Sequence, residues 1–376
     1  MTTCAGAPAA SIAADTTARE IASLWAEAAD RRRRLPQQVV DALSQAGFMR
    51  HFVPARHGGA AGGFTELLHA VASMGEVAPS AAWCAALYAA HGRLAAYLPD
   101  AAQDEIWGQS PDTPIAAAVA PPRITATPAA GGWLLTGAWS PASGVDHAAW
   151  ILLSALAPAA PEPLSLLLAV PAADCVVQDT WHSPGMRGTG SNTVVLDRVF
   201  VPAHRTVQRA RLLCADVLPG VARCHSVPYP MVAAMIFAAP VLGAARGALA
   251  TWQALAAGRL RADLDPLAQD NGSVDVLATA SGELHAAALL LESAARRCDA
   301  AEATALAVAE NMRDCCLAGR LCVTATDRLA AGTGEEPAAP GRLLGNRRDV
   351  LAAADHAMLR FAPAAAGYAR ACLGAD

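Results

Sequence analysis

The spacing of apolar residues changes twice along the 376-residue chain. Between residues 15 and 108 apolar side chains recur every three or four positions, which is typical of amphipathic helices. Between residues 114 and 202 they form short runs, such as GGWLLTGAW and TVVLDRVFVP, separated by Pro and Gly turns, which indicates β-strands. After His204 long helical segments return. We therefore predict an α+β chain with an N-terminal α-helical domain (1–113), a central β-domain (114–205) and a C-terminal α-helical bundle (206–376).

The C-terminal helical segments carry few polar residues. Residues 226–245, SVPYPMVAAMIFAAPVLGAA, contain no charge over a length that spans a membrane, but Pro228, Pro230 and Pro240 interrupt them. A helix that is apolar around most of its circumference packs against neighbours on several sides. We therefore expect a buried helix in a bundle or at the interface of a homo-oligomer, rather than a membrane span.

Charge and cysteine usage narrow the possible function classes. The net charge of −5 and the pI near 6.1 give no electrostatic basis for binding nucleic acid. The ten cysteines include no C-x-x-C pair, and no group of Cys and His has the spacing of a metal site. The first residues lack the basic and apolar regions of a signal peptide. We therefore expect a cytoplasmic protein with reduced thiols and no bound metal.

A glycine-rich segment, WHSPGMRGTGSN (181–192), lies directly before the strand-type run TVVLDRVFVP. Glycine lets backbone N–H groups approach a ligand closely. A phosphate-binding loop normally opens a helix, whereas this one opens a strand. The sequence therefore predicts a loop beside a ligand, in an unusual place for a phosphate loop.

Three segments carry motifs of a known family: SAAWCAALYAAHGRLAAYLPDAAQDEIWG, GGWLLTGAWSPASGVDHAAWILLSA and GMRGTGSNTVVLDRVFVPAHR, with RRDVLAAADHAML as a looser fourth match. They resemble the acyl-CoA dehydrogenase superfamily, and within it the flavin-dependent monooxygenase branch of two-component hydroxylases. That branch acts on phenols, on other aromatic or heteroaromatic compounds and on some amino sugars. The resemblance implies N-terminal helices, a central β-barrel or sandwich, a C-terminal four-helix bundle and commonly a tetramer.

The resemblance also implies a flavin site on the β-domain. Ser143, at the end of a strand and beside Gly144, would donate a hydrogen bond to flavin N5, and Trp139 would help to wall the flavin or the substrate. Ser143 is equally explained as a turn serine that caps its own backbone, and Trp139 as a packed aromatic of the sandwich core. The contacts expected from the 181–192 loop to the flavin ring edge or phosphate are Arg187, Gly188, Thr189, Gly190 and Ser191.

Three further residues complete the predicted site. An imidazole that titrates near neutral pH suits proton exchange with a phenol or a flavin hydroperoxide, so His356 is the predicted proton-handling residue. The alternative is a histidine that points to solvent or caps its helix. Asp349 lies on the same predicted helical face, but at about 10 Å along the axis it is too distant to pair with His356. Trp83 and His91 are predicted to face the substrate, His91 also with a catalytic role; the alternatives are a core tryptophan and a polar helix cap.

No glutamate stands where an acyl-CoA dehydrogenase keeps its catalytic base. The superfamily places that Glu in a Y-E-G motif after the "RD" helix or early in the first long bundle helix, and neither RRDVLAAADHAML nor MVAAMIFAAP contains one. Dehydrogenation of an acyl thioester is therefore disfavoured, and the resemblance implies a monooxygenase that uses molecular oxygen through a flavin C4a-hydroperoxide. Its substrate would be an aromatic, heteroaromatic or amine-type small molecule of natural-product biosynthesis or aromatic catabolism.

The flavin would be supplied in its reduced form, as FMN or FAD, by a separate NAD(P)H:flavin reductase. The reason is that no further G-x-G-x-x-G segment follows a strand in this sequence. Two alternatives stay open: an FAD dehydrogenase or desaturase of the same fold on a non-standard substrate, and a flavin-binding protein without catalytic activity.

Overall fold

The N-terminal part of the protein is a group of helices. The computed structural model describes Ile12 and the segments 16–120, 123–159, 161–214, 221–264, 272–332 and 340–374. The first helices are α1 (Thr16–Arg32), α2 (Gln37–Gln45), α3 (Phe64–Gly75), α4 (Pro79–Ala95) and α5 (Asp100–Trp107). Pro36 separates α1 from α2, because its ring fixes φ and removes a backbone donor. Helix α4 is buried along almost its whole length, which places it between the other parts of the protein.

The central part is a sandwich of two sheets. The strands in chain order are β1 (Ile115–Ala118), β2 (Thr127–Ala129), β3 (Gly132–Ala142), β4 (Trp150–Ala157), β5 (Leu164–Pro171), β6 (Val176–Gln178), β7 (Asn192–Pro202) and β8 (Thr206–Gln208). One sheet has the order β1-β4-β5-β8 and the other β2-β3-β7-β6. Strand β1 pairs with β4 in parallel, and the other pairs are antiparallel. Side chains from both sheets, among them Leu135, Leu153 and Val194, form one apolar core.

The C-terminal part is a helical bundle. After the short helices α6 (Ala210–Leu213) and α7 (Arg223–Ser226) come α8 (Tyr229–Asp263), α9 (Gly272–Ala300), α10 (Ala305–Ala331), α11 (Pro340–Ala354) and α12 (Phe361–Leu373). Helices α8 to α11 pack on one another as four long helices, and α12 packs on α10. Helices α8 and α9 are long and apolar enough to cross a membrane by length and composition alone. In the most apolar stretch of α8, 83% of the residues are buried inside the fold, which explains its composition.

The predicted α-β-α order is confirmed, and the structure differs from the sequence prediction in three places. Strand β8 pairs with β5, so the sheet continues beyond the expected boundary at residue 205. Helix α11 ends at Ala354, before His356, where a single continuous helix was expected. Helix α12 was not predicted, because its Ala-rich sequence with only Ala364 buried lacks a marked apolar stripe.

Candidate functional site

The candidate site lies where the three parts of the chain meet. The indole Nε1 of Trp83, on α4, donates a hydrogen bond of 3.1 Å to Ser143 Oγ, which follows β3. The Trp83 ring lies 5.4 Å from Phe237 on α8 and 5.7 Å from His356 after α11, measured between ring centroids. The rings of Phe237 and His356 are stacked at 3.7 Å. The structure therefore brings Trp83, Ser143 and His356 together.

A tight turn fixes the position of Ser143. The chain leaves β3 at Ala142 and reverses through Gly144, whose φ of 70° lies in the left-handed region. The hydroxyl of Tyr88 donates to Gly144 O at 2.8 Å, so α4 holds the turn. A Cβ on Gly144 would stand 2.6 Å from the Tyr88 hydroxyl oxygen, which leaves no room for another residue. Gly144 thus has a structural requirement of its own, independent of any cofactor.

A chain of hydroxyl groups runs from Ser143 into the protein. Ser143 Oγ lies 2.8 Å from Ser191 Oγ, and Ser191 Oγ lies 2.7 Å from Thr189 Oγ1. Thr189 Oγ1 donates to Met186 O at 2.8 Å. Ser191 is 3% exposed and Thr189 is 2% exposed, whereas Ser143 is half-buried. Ser191 thus contacts Ser143 from its buried side and Thr189 contacts Ser191, while Ser143 is the one residue of the three that is partly exposed.

The side chain of His356 is neutral in this environment. Desolvation lowers its pKa to about 4, and no charged group contributes to the shift. Its Nδ1 accepts a hydrogen bond from the backbone N–H of Met358 at 3.3 Å, so the neutral ring carries its proton on Nε2. Within the described residues Nε2 has no hydrogen-bond partner, and it is available to a ligand. His356 therefore caps the turn Ala357–Leu359 with one nitrogen and leaves the other one free.

Asp349 serves the glycine-rich loop rather than His356. Its Oδ1 accepts the backbone N–H of Met186 at 2.6 Å, which holds Met186 at a φ of 53°. Desolvation, with a smaller contribution from Asp30, raises the pKa of the Asp349 carboxyl to about 6. Asp349 also lines a cavity of about 640 Å³ between α1, α4, α8 and α11, and Trp83, Ser143 and His356 do not line it. Because α11 ends before His356, the expectation that Asp349 and His356 share one helical face is wrong.

Three other loop residues predicted as cofactor contacts have structural contacts within the protein. The Arg187 side chain donates to Asp30 O at 3.2 Å, on α1 at the edge of the fold. A Cβ on Gly188 would stand 2.9 Å from the Ala29 Cβ and 3.0 Å from the Ser80 Cβ, so this glycine allows the loop to pack against α1 and α4. Gly190 ends the same turn with a φ of 53°. These placements favour a structural role for Arg187, Gly188 and Gly190.

Trp139 lies in the core of the sandwich. It is 6% exposed, packs among residues of both sheets and donates from Nε1 to Ser154 O at 2.8 Å. Because its polar atom is already paired and its ring is covered, the structure favours the alternative of a packed core aromatic over that of a flavin wall.

Two residues that sequence reasoning did not assign contribute to the site. Phe237 stacks on His356, in the run where only the absence of a glutamate was noted. Tyr88 holds the Gly144 turn from α4, and lies five residues after Trp83. The signal for Phe237 in the sequence was a single aromatic residue within the otherwise aliphatic run MVAAMIFAAP. Its partner His356 lies far along the chain, so the sequence alone did not indicate their contact.

His91 lies on α4 but away from the cluster of Trp83, Ser143 and His356. Its Nδ1 donates to Ile115 O at 2.8 Å, and it is 5% exposed. No hydrogen bond or ring contact joins it to that cluster within the described residues. Desolvation lowers its pKa to about 4, so the buried imidazole is neutral.

This burial predicts an acid-dependent loss of stability. Because the pKa of His91 is about 4 in the folded chain and 6.5 in the reference state, the unfolded chain binds more protons between these values. The contribution of His91 to stability is therefore full above pH 6.5 and falls as the pH drops through about 4, by roughly 3 kcal/mol in all. Denaturant unfolding at pH 7 and pH ~4.5 measures this loss.

The variant His91→Asn is the matched comparison, because its amide retains an N–H donor for Ile115 O without the titration. It should lose less stability than the parent over the same pH interval. The pKa of Asp349 is raised, so its protonation stabilises the fold as the pH falls, opposite to His91. This effect is the same in both proteins and cancels when their pH dependences are compared. Identical pH dependence of the two proteins would contradict the assignment to His91.

The chemistry of the cluster fits a flavin. The isoalloxazine ring needs a flat apolar wall and polar groups at its N5–O4 edge. Trp83 and Phe237 provide aromatic surface, and Ser143 Oγ and the free Nε2–H of His356 provide polar groups beside it. Within the described residues there is no group of three or more His, Cys, Asp or Glu side chains that could hold a metal ion.

Comparison with known proteins identifies the family. Residues 10–106 match the family "Acyl-CoA dehydrogenase, N-terminal domain", and residues 235–361 match "Acyl-CoA dehydrogenase, C-terminal domain". The oxygenase component of FADH(2)-dependent resorcinol hydroxylase from Rhizobium sp. (strain MTP-10005) is 39% identical over 177 residues, 46% of this chain and 43% of that protein. Indole-3-acetate monooxygenase from Pseudomonas putida is 30% identical over 274 residues, 71% of this chain and 68% of that protein.

The solved structures agree with the sequence matches. The crystal structure of the HsaA monooxygenase from M. tuberculosis has a TM-score of 0.89 and 26% identity, over 97% of this chain and 98% of that chain. By sequence, this chain spans about half the length of the first curated relatives that it matches, 43% and 58%. The shared fold and the family matches at both ends show that the chain belongs to the acyl-CoA dehydrogenase superfamily, in its flavin-dependent monooxygenase branch.

Proposed function

We propose that this chain is the oxygenase component of a two-component flavin-dependent monooxygenase that hydroxylates an aromatic, heteroaromatic or amine-type small molecule. The observation that carries the proposal is the convergence of Trp83, Ser143 and His356 from three parts of the chain in one cluster of side chains. The relatives are named for hydroxylation of resorcinol and monooxygenation of indole-3-acetate, which supports an aromatic substrate.

The residues of the chain have distinct tasks in this proposal. Reduced flavin, when bound, supplies the activation of molecular oxygen. Ser143 would contact the flavin at N5, the rings of Trp83 and Phe237 would cover it and exclude water, and His356 would exchange a proton through Nε2. A dry pocket is needed because water destroys reactive oxygen intermediates.

The position of Phe237 disfavours the dehydrogenase alternative. Early in α8, where a dehydrogenase of this superfamily would carry a glutamate base, the chain has an aromatic ring stacked on His356. The pKa of His356 is lowered by desolvation alone, and no carboxylate influences it. Within the described residues no carboxylate that could abstract a proton from carbon therefore influences His356.

Cofactor, assembly and location are part of the proposal. The FADH(2) dependence in the name of the resorcinol hydroxylase component supports reduced flavin, FMN or FAD, from a separate NAD(P)H:flavin reductase. Exposed apolar residues on the bundle, such as Leu289 at 53% and Leu373 at 81%, support a homotetramer. Nine free cysteines in the described residues support a reducing, cytoplasmic location.

The test combines purified protein, reduced FMN or FAD prepared without oxygen, and a panel of phenols and nitrogen heterocycles. On mixing with ¹⁸O₂ we expect a product that contains one ¹⁸O atom, measured by mass spectrometry. NAD(P)H without an added flavin reductase should give no product.

The same panel separates the alternatives. A dehydrogenase would yield a product two hydrogens lighter, with oxidised FAD and an artificial electron acceptor in the absence of oxygen. A flavin-binding protein without catalysis would yield neither product. Either result would refute the oxygenase function.

A further inference from the structure

The direction of the hydroxyl chain behind Ser143 is fixed by its inner end. The chain contains three contacts, Ser143–Ser191, Ser191–Thr189 and Thr189–Met186 O, with oxygen–oxygen distances of 2.8, 2.7 and 2.8 Å. At such distances each contact needs one proton between its oxygens. Only the three hydroxyls can supply these protons, because Met186 O is a carbonyl and only accepts.

Counting from the carbonyl outward therefore assigns every donor. Thr189 donates to Met186 O, so Ser191 donates to Thr189, and Ser143 donates to Ser191. The single hydroxyl proton of Ser143 is used within the protein. One lone pair of its oxygen accepts the indole N–H of Trp83, and one lone pair remains. Towards the pocket Ser143 is thus an acceptor without a proton to donate.

This polarity distinguishes the two redox states of a flavin. Reduced flavin carries a hydrogen on N5 and can donate it, whereas the N5 of oxidised flavin is only an acceptor. Resting on the proposed function, we propose that Thr189 and Ser191 act as positioning residues that commit the Ser143 proton to Ser191 Oγ, so that the site selects flavin with an N5–H over oxidised flavin. The expectation that Ser143 donates to N5 is thereby reversed.

The burial of the Thr189 and Ser191 hydroxyls maintains the direction of these hydrogen bonds. Thr189 and Ser191 are almost fully covered, so water cannot supply substitute partners. Two further donors, Trp181 Nε1 at 3.0 Å and Thr189 N at 3.2 Å, reach Met186 O, and Asp349 holds the amide of the same residue. The acceptor at the inner end is therefore held from both sides.

The test measures binding rather than turnover. Dissociation constants of FMN or FAD, whichever the parent protein binds, are determined by anaerobic calorimetry with the oxidised and with the dithionite-reduced form. The parent should bind the reduced form more tightly. In Ser191→Ala and in Thr189→Val the Ser143 proton is released, so oxidised flavin gains a donor and the ratio of the two constants should fall roughly tenfold, about 1.4 kcal/mol.

Two matched variants serve as controls. Thr189→Ser keeps a hydroxyl at the same position and should keep the parent ratio. Thr180→Val removes a hydroxyl of the exposed Thr180–Thr193 pair, which is not part of the Ser143–Ser191–Thr189 series of hydroxyls. It should also leave the ratio of the two dissociation constants unchanged. Thermal unfolding of each variant checks that it is folded.

Equal weakening of both redox forms, or an unchanged ratio in both Ser191→Ala and Thr189→Val, would overturn the inference and leave the oxygenase function standing. A parent protein that binds neither form would remove the proposed function, and this inference with it. A shifted ratio without ¹⁸O incorporation would support the selection of flavin and refute the oxygenase activity alone.

Discussion

Replacing His356 with alanine is expected to lower the rate of hydroxylation about 100-fold, within the range of general acid–base catalysis. Burial lowers the pKa of the imidazole to about 4, so the near-neutral titration expected from the sequence is wrong. Its Nε2–H has no partner within the described residues, so it can give this hydrogen to a bound ligand and take it back. Alanine removes this group and also the ring stacked on Phe237. The measurement is the single-turnover rate of product formation after reduced enzyme is mixed with oxygen and substrate.

The variant His356→Asn separates proton exchange from structure. An asparagine oxygen still accepts the backbone N–H of Met358, which His356 Nδ1 accepts in the parent, but asparagine does not titrate. Both variants should lose a similar factor in rate while reduced flavin binds with a dissociation constant within a few-fold of the parent. Hydroxylation by His356→Asn at the parent rate would show that the role of His356 is only structural.

Replacing Gly144 with alanine is expected to destabilise the fold by roughly 2–4 kcal/mol, the sum of a left-handed backbone penalty and overpacking. The φ of 70° disfavours a side chain, and the new Cβ would meet the Tyr88 hydroxyl at 2.6 Å. The turn would have to move, and Ser143 would move with it. Denaturant unfolding monitored by tryptophan fluorescence gives the change in free energy.

A second substitution tests the cause of this destabilisation. Tyr88→Leu removes the hydroxyl and the ring carbons that lie 2.6 to 3.1 Å from the new Cβ, so the double variant should be less destabilised than the sum of the two single variants. Gly258→Ala, on α8 with open space around its Cα, should be neutral or slightly stabilising. If the energies of the Gly144 and Tyr88 variants add, the clash is not the cause.

The order of the three domains was predictable because it depends on local signals. Helical and strand periodicity, proline breaks and the Ala-Gly turn between β2 and β3 are set by neighbouring residues. The positions of Trp83, Ser143 and His356 were likewise found from short motifs. Helix α12 and strand β8 were not predicted, because one lacks an apolar stripe and the other has only three residues paired to a distant strand.

The structure adds contacts around the candidate site that join residues far apart in the sequence. Trp83 and Ser143 are 60 residues apart, and Met186 and Asp349 are 163 apart. No periodic pattern in the sequence indicates either pairing. From the motifs alone, Arg187, Gly188 and Trp139 were therefore predicted as cofactor contacts. Their packing favours structural roles, because Asp30, the Ala29 and Ser80 side chains and the sandwich core lie around these residues.

The sequence by itself determined the α-β-α order, the superfamily resemblance and three of the residues that meet in the cluster. Each of these depends on the periodicity or the short motifs of neighbouring residues. Only the tertiary structure decided how these residues act. It ended α11 before His356, stacked Phe237 on that ring and buried a line of hydroxyls behind Ser143. The direction of a hydrogen bond depends on all partners along such a line, and those partners come together only when the chain folds.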